Sequence, residues 1–203
     1  MIEFFLHQYA PSTIGRVALA AGAAGMAALA LAVLAFVFDR AFGRFGDGVS
    51  VLTSVLTAGL SMLLFPEHYS REPQLAWMAF SLALLGSFLA AFGSVLAATG
   101  AASWFLAQLY VATGYGFLGI WLVILNISAR AVNTFPHRAV SIGLLAGAVM
   151  ALGITAIPGI LGGGDSEASA PWLSRYVGRA GTLGWLVLYP LWCIWLGLLR
   201  LPH

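Results

Sequence analysis

The chain reads as long apolar runs separated by short polar connections. Six runs approach or exceed the length a helix needs to cross a bilayer, covering roughly 17–38, 49–65, 75–98, 103–125, 140–161 and 181–199. The second is short, at 17 residues near the lower limit for crossing. The tight link at 99–102 makes the third and fourth runs an antiparallel hairpin. A lone open strand cannot satisfy its backbone in lipid, so every run reads as a helix. The pattern therefore predicts an all-α bundle of six transmembrane helices, with residues 1–203 forming one integral membrane domain.

Composition narrows the class. The chain is 61% hydrophobic and 8% charged, against about 25% charged in soluble proteins. Its mean hydropathy is +0.96. The nine basic residues are all Arg, and with the seven acidic ones they gather between the apolar runs. This excludes a disordered chain, a nucleic-acid reader and a soluble enzyme. The lipid bilayer is the first partner it implies. The net charge of +2 is spread over connections and makes no phosphate-binding patch. With no Lys there is no residue to hold retinal as a Schiff base. A single cysteine, Cys193, allows no disulfide within the chain.

The start is not a cleavable signal: it carries Glu3 instead of a basic region, and its apolar run is too long. Phe4, Phe5, Leu6 and Tyr9, with His7 and Gln8, suggest a short interfacial helix broken by Pro11, after which Ser12 or Thr13 caps the first span. In the 162–180 connection, Trp172, Leu173 and Tyr176 suggest a second interfacial segment. Six spans put both termini on one side with Arg16, Arg71, Arg130, Arg138 and Arg200, against Arg40, Arg44, Arg175 and Arg179 on the other. Five against four tips the termini toward the cytoplasm, in a prokaryotic plasma membrane.

Small residues four apart mark packing seams: Ala20, Ala24, Ala28 and Ala32; Gly86, Ala90, Ser94 and Ala98; Gly143, Gly147 and Ala151. Such seams serve one bundle internally or a homodimer. Two polar stripes turn inward: Ser50, Ser54, Thr57 and Ser61 in the second span, and Gln108, Tyr115 and Asn126 with Ala112 and Gly119 in the fourth. They act as packing glue or line a cavity. The sixth span carries Trp185, Tyr189, Trp192 and Trp195, an interfacial belt or the wall of a flat apolar ligand's site. The candidate ligand-binding set is Ser54, Thr57, Gln108, Tyr115, Asn126, Tyr189 and Trp192.

Reactive chemistry is sparse. No ionisable residue falls in mid-span, which argues against an ion-coupled pump. The four His have no partner at helical spacing for zinc, and none sits where a buried haem needs an axial ligand. The expectation is no metal and no cofactor. Gly162-Gly163-Gly164-Asp165 resembles the GxGD of intramembrane aspartyl proteases, but that chemistry needs a facing second Asp. The run 65–73, bracketed by Pro66 and Pro73, reads as a defined turn. Its Glu67 and His68 offer an acid–base pair for a membrane enzyme, or only a solvated connection. Arg71, Arg130, His137 and Arg138 share one side and form a candidate head-group site.

The stretch 121–153, a helix ending in a basic loop with a proline and followed by a glycine-rich span, resembles a pattern in uncharacterised bacterial multi-span membrane proteins. The resemblance implies six helices and carries no activity. The leading functional expectation is a non-catalytic membrane module, either an accessory subunit or a binder of a lipid or apolar small molecule. A substrate-binding component of a small-solute transporter is the first alternative, because the Ala seam of the first span resembles the coupling face of vitamin-transporter subunits. The enzyme built on Glu67 and His68 is the second.

Overall fold

The computed structural model describes residues 9–39, 41–131, 135–163, 166–168 and 170–201. The expected interfacial helix before Tyr9, together with Arg40, Gly164, Asp165 and His203, lies outside them. Six helices are long and apolar enough to cross a membrane: α1 (Pro11–Val37), α2 (Ala41–Tyr69), α3 (Pro73–Thr99), α4 (Trp104–Ala131), α5 (His137–Leu161) and α6 (Leu173–Arg200). There is no strand among the described residues. The chain is an all-α integral membrane protein.

Local chemistry sets the helix ends. Pro11 and Pro73 occupy first-turn positions, where a missing N–H costs nothing. Pro11 thus begins α1 directly, and neither Ser12 nor Thr13 caps it. Asp39 Oδ1 accepts the Ala41 N–H at 2.8 Å, and Ser103 Oγ accepts that of Leu106 at 3.2 Å. Gly100, at φ 69°, closes α3 in the left-handed conformation that glycine alone adopts freely.

All six helices outrun their apolar stretches, two of them by the most. α2 has 29 residues where the apolar run has 17, because Gly46, Asp47 and Gly48 continue the helix at one end and Pro66 at the other. Pro66 forfeits one hydrogen bond near the helix end and does not stop it. The turn between α2 and α3 therefore shrinks to Ser70, Arg71 and Glu72. α6 likewise starts at Leu173, so Trp172 and Tyr176 belong to its exposed beginning and not to a separate surface segment. Asn126 lies inside α4, which runs six residues past the apolar stretch.

Each helix packs antiparallel on its sequence neighbour, and α6 returns to pack on α1, closing a ring. α4 is the most buried, with 61% of its central window inside the bundle. The seams pass backbone close to backbone. A Cβ on Gly114 would collide with the main chain of Gly86 and Ala90, and one on Gly147 with the Gly119 carbonyl. On α1 the buried line is Ile14, Gly15, Ala18, Ala21, Gly22, Ala24, Gly25 and Ala28, which includes Ala24 and Ala28 of the expected seam. Ala20 and Ala32 of the expected seam are exposed.

Two prolines loosen the ring locally. Pro190 cannot donate to the Leu186 carbonyl, and the residues before it, Gly184–Leu188, open into a wide π turn. Pro158 cannot donate to Ile154, and Leu152–Ala156 tightens into a 3₁₀ turn in which the Ile157 N–H takes the Ile154 carbonyl.

Candidate functional site

The polar stripe of α2 is held by its own helix. Ser50, Thr53, Ser54 and Thr57 each donate to the carbonyl four residues back, at 3.0, 3.0, 2.9 and 2.7 Å. Their single protons are thereby committed, so their oxygens serve the bundle as acceptors. The Tyr189 hydroxyl donates to Thr57 Oγ1 at 2.8 Å, and the Tyr115 hydroxyl approaches Ser54 Oγ at 3.5 Å. Two long side chains from α4 and α6 are thus tied to α2 across the middle of the bundle.

Aromatic contacts complete this layer. Trp185 stacks on Tyr115, with centroids 4.5 Å apart and planes 6° from parallel. Tyr189 stacks on Trp192 at 6.2 Å, and Trp192 meets Trp121 edge-on at 6.4 Å. Tyr115, Tyr189 and Trp192 are all buried. One helical turn further on, Asn126 donates to the Leu122 carbonyl at 2.8 Å and lies directly against Gly143, where any Cβ would strike its amide. Of the seven expected ligand-binding residues, Ser54, Thr57, Tyr115, Tyr189 and Trp192 therefore sit inside this closed layer, and Asn126 is buried against α5 beyond it.

The seventh, Gln108, stands elsewhere. It lines a cavity of about 1080 Å³ at the end of the bundle holding the α1–α2 and α3–α4 turns. Ala28, Ala32 and Ala35 of α1 form one wall, and Trp104 and Phe105 of α4 another. Trp185 and Leu186, in the π turn of α6, border its deep end. The aromatic layer is therefore the floor of the cavity. α1 packs on α6 mainly along Tyr189–Arg200, and that contact fades across the π turn, which leaves the space.

Arg44, Asp47 and Ser50 bring polarity to the cavity from one face of α2. The first two were missed in the sequence because they precede the apolar run. The signal was present: 43, 44, 46, 47 and 50 fall at helical spacing once α2 is taken to begin at Ala41.

A second, smaller cavity of about 210 Å³ occupies the opposite end, between α2, α3 and α4. His68 lines it. Glu67, its neighbour in sequence, faces α6 instead and pairs in two-pronged fashion with Arg200, both oxygens at 2.8 Å. The Arg200 guanidinium also lies over the Phe135 ring at 5.3 Å. Glu67 and His68 thus point into different surroundings. Arg71, Arg130, His137 and Arg138 are all exposed at this same end. Among the described residues no three His, Cys, Asp or Glu cluster as metal ligands. Comparison with known protein families, curated proteins and solved structures finds no match.

Proposed function

We propose that the chain is a non-catalytic membrane module that binds an amphipathic molecule in the large cavity, with the apolar body inside and a polar head near Asp47 and Arg44. The cavity's volume of about 1080 Å³ carries this reading. It lies at the upper end of small-molecule sites, which are typically about 300–1,000 Å³ with apolar walls and a few polar groups. Gln108 and Ser50 are among the polar groups that line it, while Ala28, Ala32 and Ala35 supply apolar wall. Placing the Arg16 and Arg200 end in the cytoplasm of a prokaryotic cell, as the five-to-four Arg count favours, turns the mouth to the outside. The exposed Arg71, Arg130, His137 and Arg138 then meet anionic head groups at the inner surface.

The test is an inventory of bound molecules. The protein is purified in mild detergent, its UV–visible spectrum recorded, and its extract identified by mass spectrometry. A stoichiometric compound that is lost in Ala32→Trp, with the helical spectrum unchanged, supports the reading. Identical bulk lipid in both proteins removes it.

One observation favours a second reading, an accessory or transporter subunit. Ala20, Ala23, Ala27 and Ala30 lie exposed along the outer side of α1 and leave room for a partner helix to approach closely. Blue-native electrophoresis of native membranes tests it: a larger complex that Ala23→Leu dissolves supports a partner, and a lone monomer removes one.

A further inference from the structure

The small cavity is separate from the large one, and a histidine lines it. Three aromatic rings stand in its walls among aliphatic side chains such as Leu64, Leu75, Ile124 and Leu125. Phe65 and Phe80 stand 5.0 Å apart on α2 and α3, and Trp121 enters from α4. These rings are held in place by neighbours: Phe65 also packs on Trp77 at 4.8 Å, and Trp121 meets Trp192 edge-on at 6.4 Å. His68 lines the same space with both ring nitrogens buried, and neither has a hydrogen-bond partner among the described residues. A buried imidazole without partners costs free energy that a bound polar atom recovers. At the rim Arg71 and Glu72 carry opposite charges, so the rim favours neither sign of ion.

We propose that this cavity binds a neutral single-ring molecule bearing an oxygen, a phenol or quinone head group, with the ring against Phe80 and Trp121 and the oxygen at His68. The size fits: an engineered protein cavity of about 150 Å³ takes up benzene, and this one, at about 210 Å³, accommodates a ring with substituents. The chemistry fits as well. Neutral imidazole has one N–H donor and one bare nitrogen, so it meets a carbonyl with the first and a hydroxyl with the second. The aromatic walls suit a flat ring, which stacks or packs edge-on.

Three tetramethyl-substituted six-membered rings of similar size test this: duroquinone, 2,3,5,6-tetramethylphenol and durene, which lacks oxygen. Each is titrated calorimetrically into protein in nanodiscs, with empty nanodiscs as the blank. Isotope-labelled histidine reports which of the four His responds, assigned through His68→Gln. The expected result is saturable one-to-one binding of an oxygenated ring, a shifted His68 signal, and durene weaker by about tenfold, the worth of one good hydrogen bond. His68→Phe should bring the oxygenated rings down to the level of durene, while His68→Gln, which keeps a donor and an acceptor, retains most of the affinity. Ala79→Phe, which fills the cavity from α3, should abolish binding of all three with the melting temperature preserved. Equal affinity for durene and the oxygenated rings, an unmoved His68 signal, or heats unchanged in Ala79→Phe each overturns the proposal. None of these outcomes depends on whether the large cavity is occupied.

Discussion

The two ends of the bundle are made from the same kinds of residue and come out differently. Toward the α2–α3 turn, α1 lays Gly15, Gly22 and Gly25 on the Gly197 and Pro190 stretch of α6, so closely that a Cβ at Gly15 or Gly22 would reach backbone atoms. Toward the other end α1 offers Ala28, Ala32 and Ala35, and these methyls line a space instead of filling one. Lipid exerts no hydrophobic push between helices, so a seam closes only where backbones can touch and contacts accumulate. Glycine permits that on the closed side. On the open side α6 has already been widened by the π turn ahead of Pro190, and the alanines border the cavity on that side. Small residues therefore mark close approach only where the partner helix keeps its register.

The sharpest way to break this contrast is to add bulk at a closed glycine seam and at the rim of the cavity. Gly114→Leu should cost about 3 kcal/mol or more, enough to prevent recovery of folded protein, because the new side chain meets main chain of α3. Gly43→Leu, at the rim of the large cavity, should shift stability by no more than about 0.5 kcal/mol, since its Cβ meets only the Ala35 methyl at 3.6 Å. Thermal melts followed by circular dichroism in detergent compare the two, and equal losses would erase the distinction.

Polar ties come next in size. Tyr189→Phe removes the donor to Thr57 and should destabilise by about 1 kcal/mol, with a double-mutant cycle against Thr57→Val returning most of it as coupling. Additive losses would mean that the 2.8 Å contact holds nothing. Arg200→Lys should cost about 0.5–1 kcal/mol, because lysine cannot match both oxygens of Glu67 and the pair is only partly shielded from water. That loss should shrink in high salt, and a salt-independent loss would assign it to packing on Phe135. The smallest stability change, about 0.3 kcal/mol or less, is expected for Gln108→Leu, which touches a cavity wall and no hydrogen-bonded tie. The same variant should reduce the amount of co-purifying compound, so it separates lining from packing.

The helix count was legible because hydrocarbon thickness imposes a length of apolar sequence and leaves the backbone no other way to satisfy itself. Helix length was not. α2 runs on through Asp47 and Pro66 because neighbouring helices hold its ends, and hydropathy does not register neighbours. That shortfall hid Arg44 and Asp47 from the candidate site. The inward turn of Ser54, Thr57, Tyr115 and Tyr189 was readable from spacing, but spacing alone left both packing glue and cavity lining open. Their hydrogen bonds place them in packing, and Gln108, from the same stripe of α4, lines the cavity. His68 and Glu67 looked like a pair in the sequence. Adjacent helical residues point about 100° apart, which sends one to Arg200 and the other into the small cavity.

By itself, then, the sequence determined that this chain lives in a membrane, that it crosses as six helices, and that its polar stripes turn inward, since those follow from transfer free energy and the period of the helix. Where the bundle is solid and where it is hollow was decided only in three dimensions. That outcome depends on which glycine meets which backbone, and on how far a proline in α6 widens the turn before it. Both are relations between helices distant in sequence, and no local pattern encodes them.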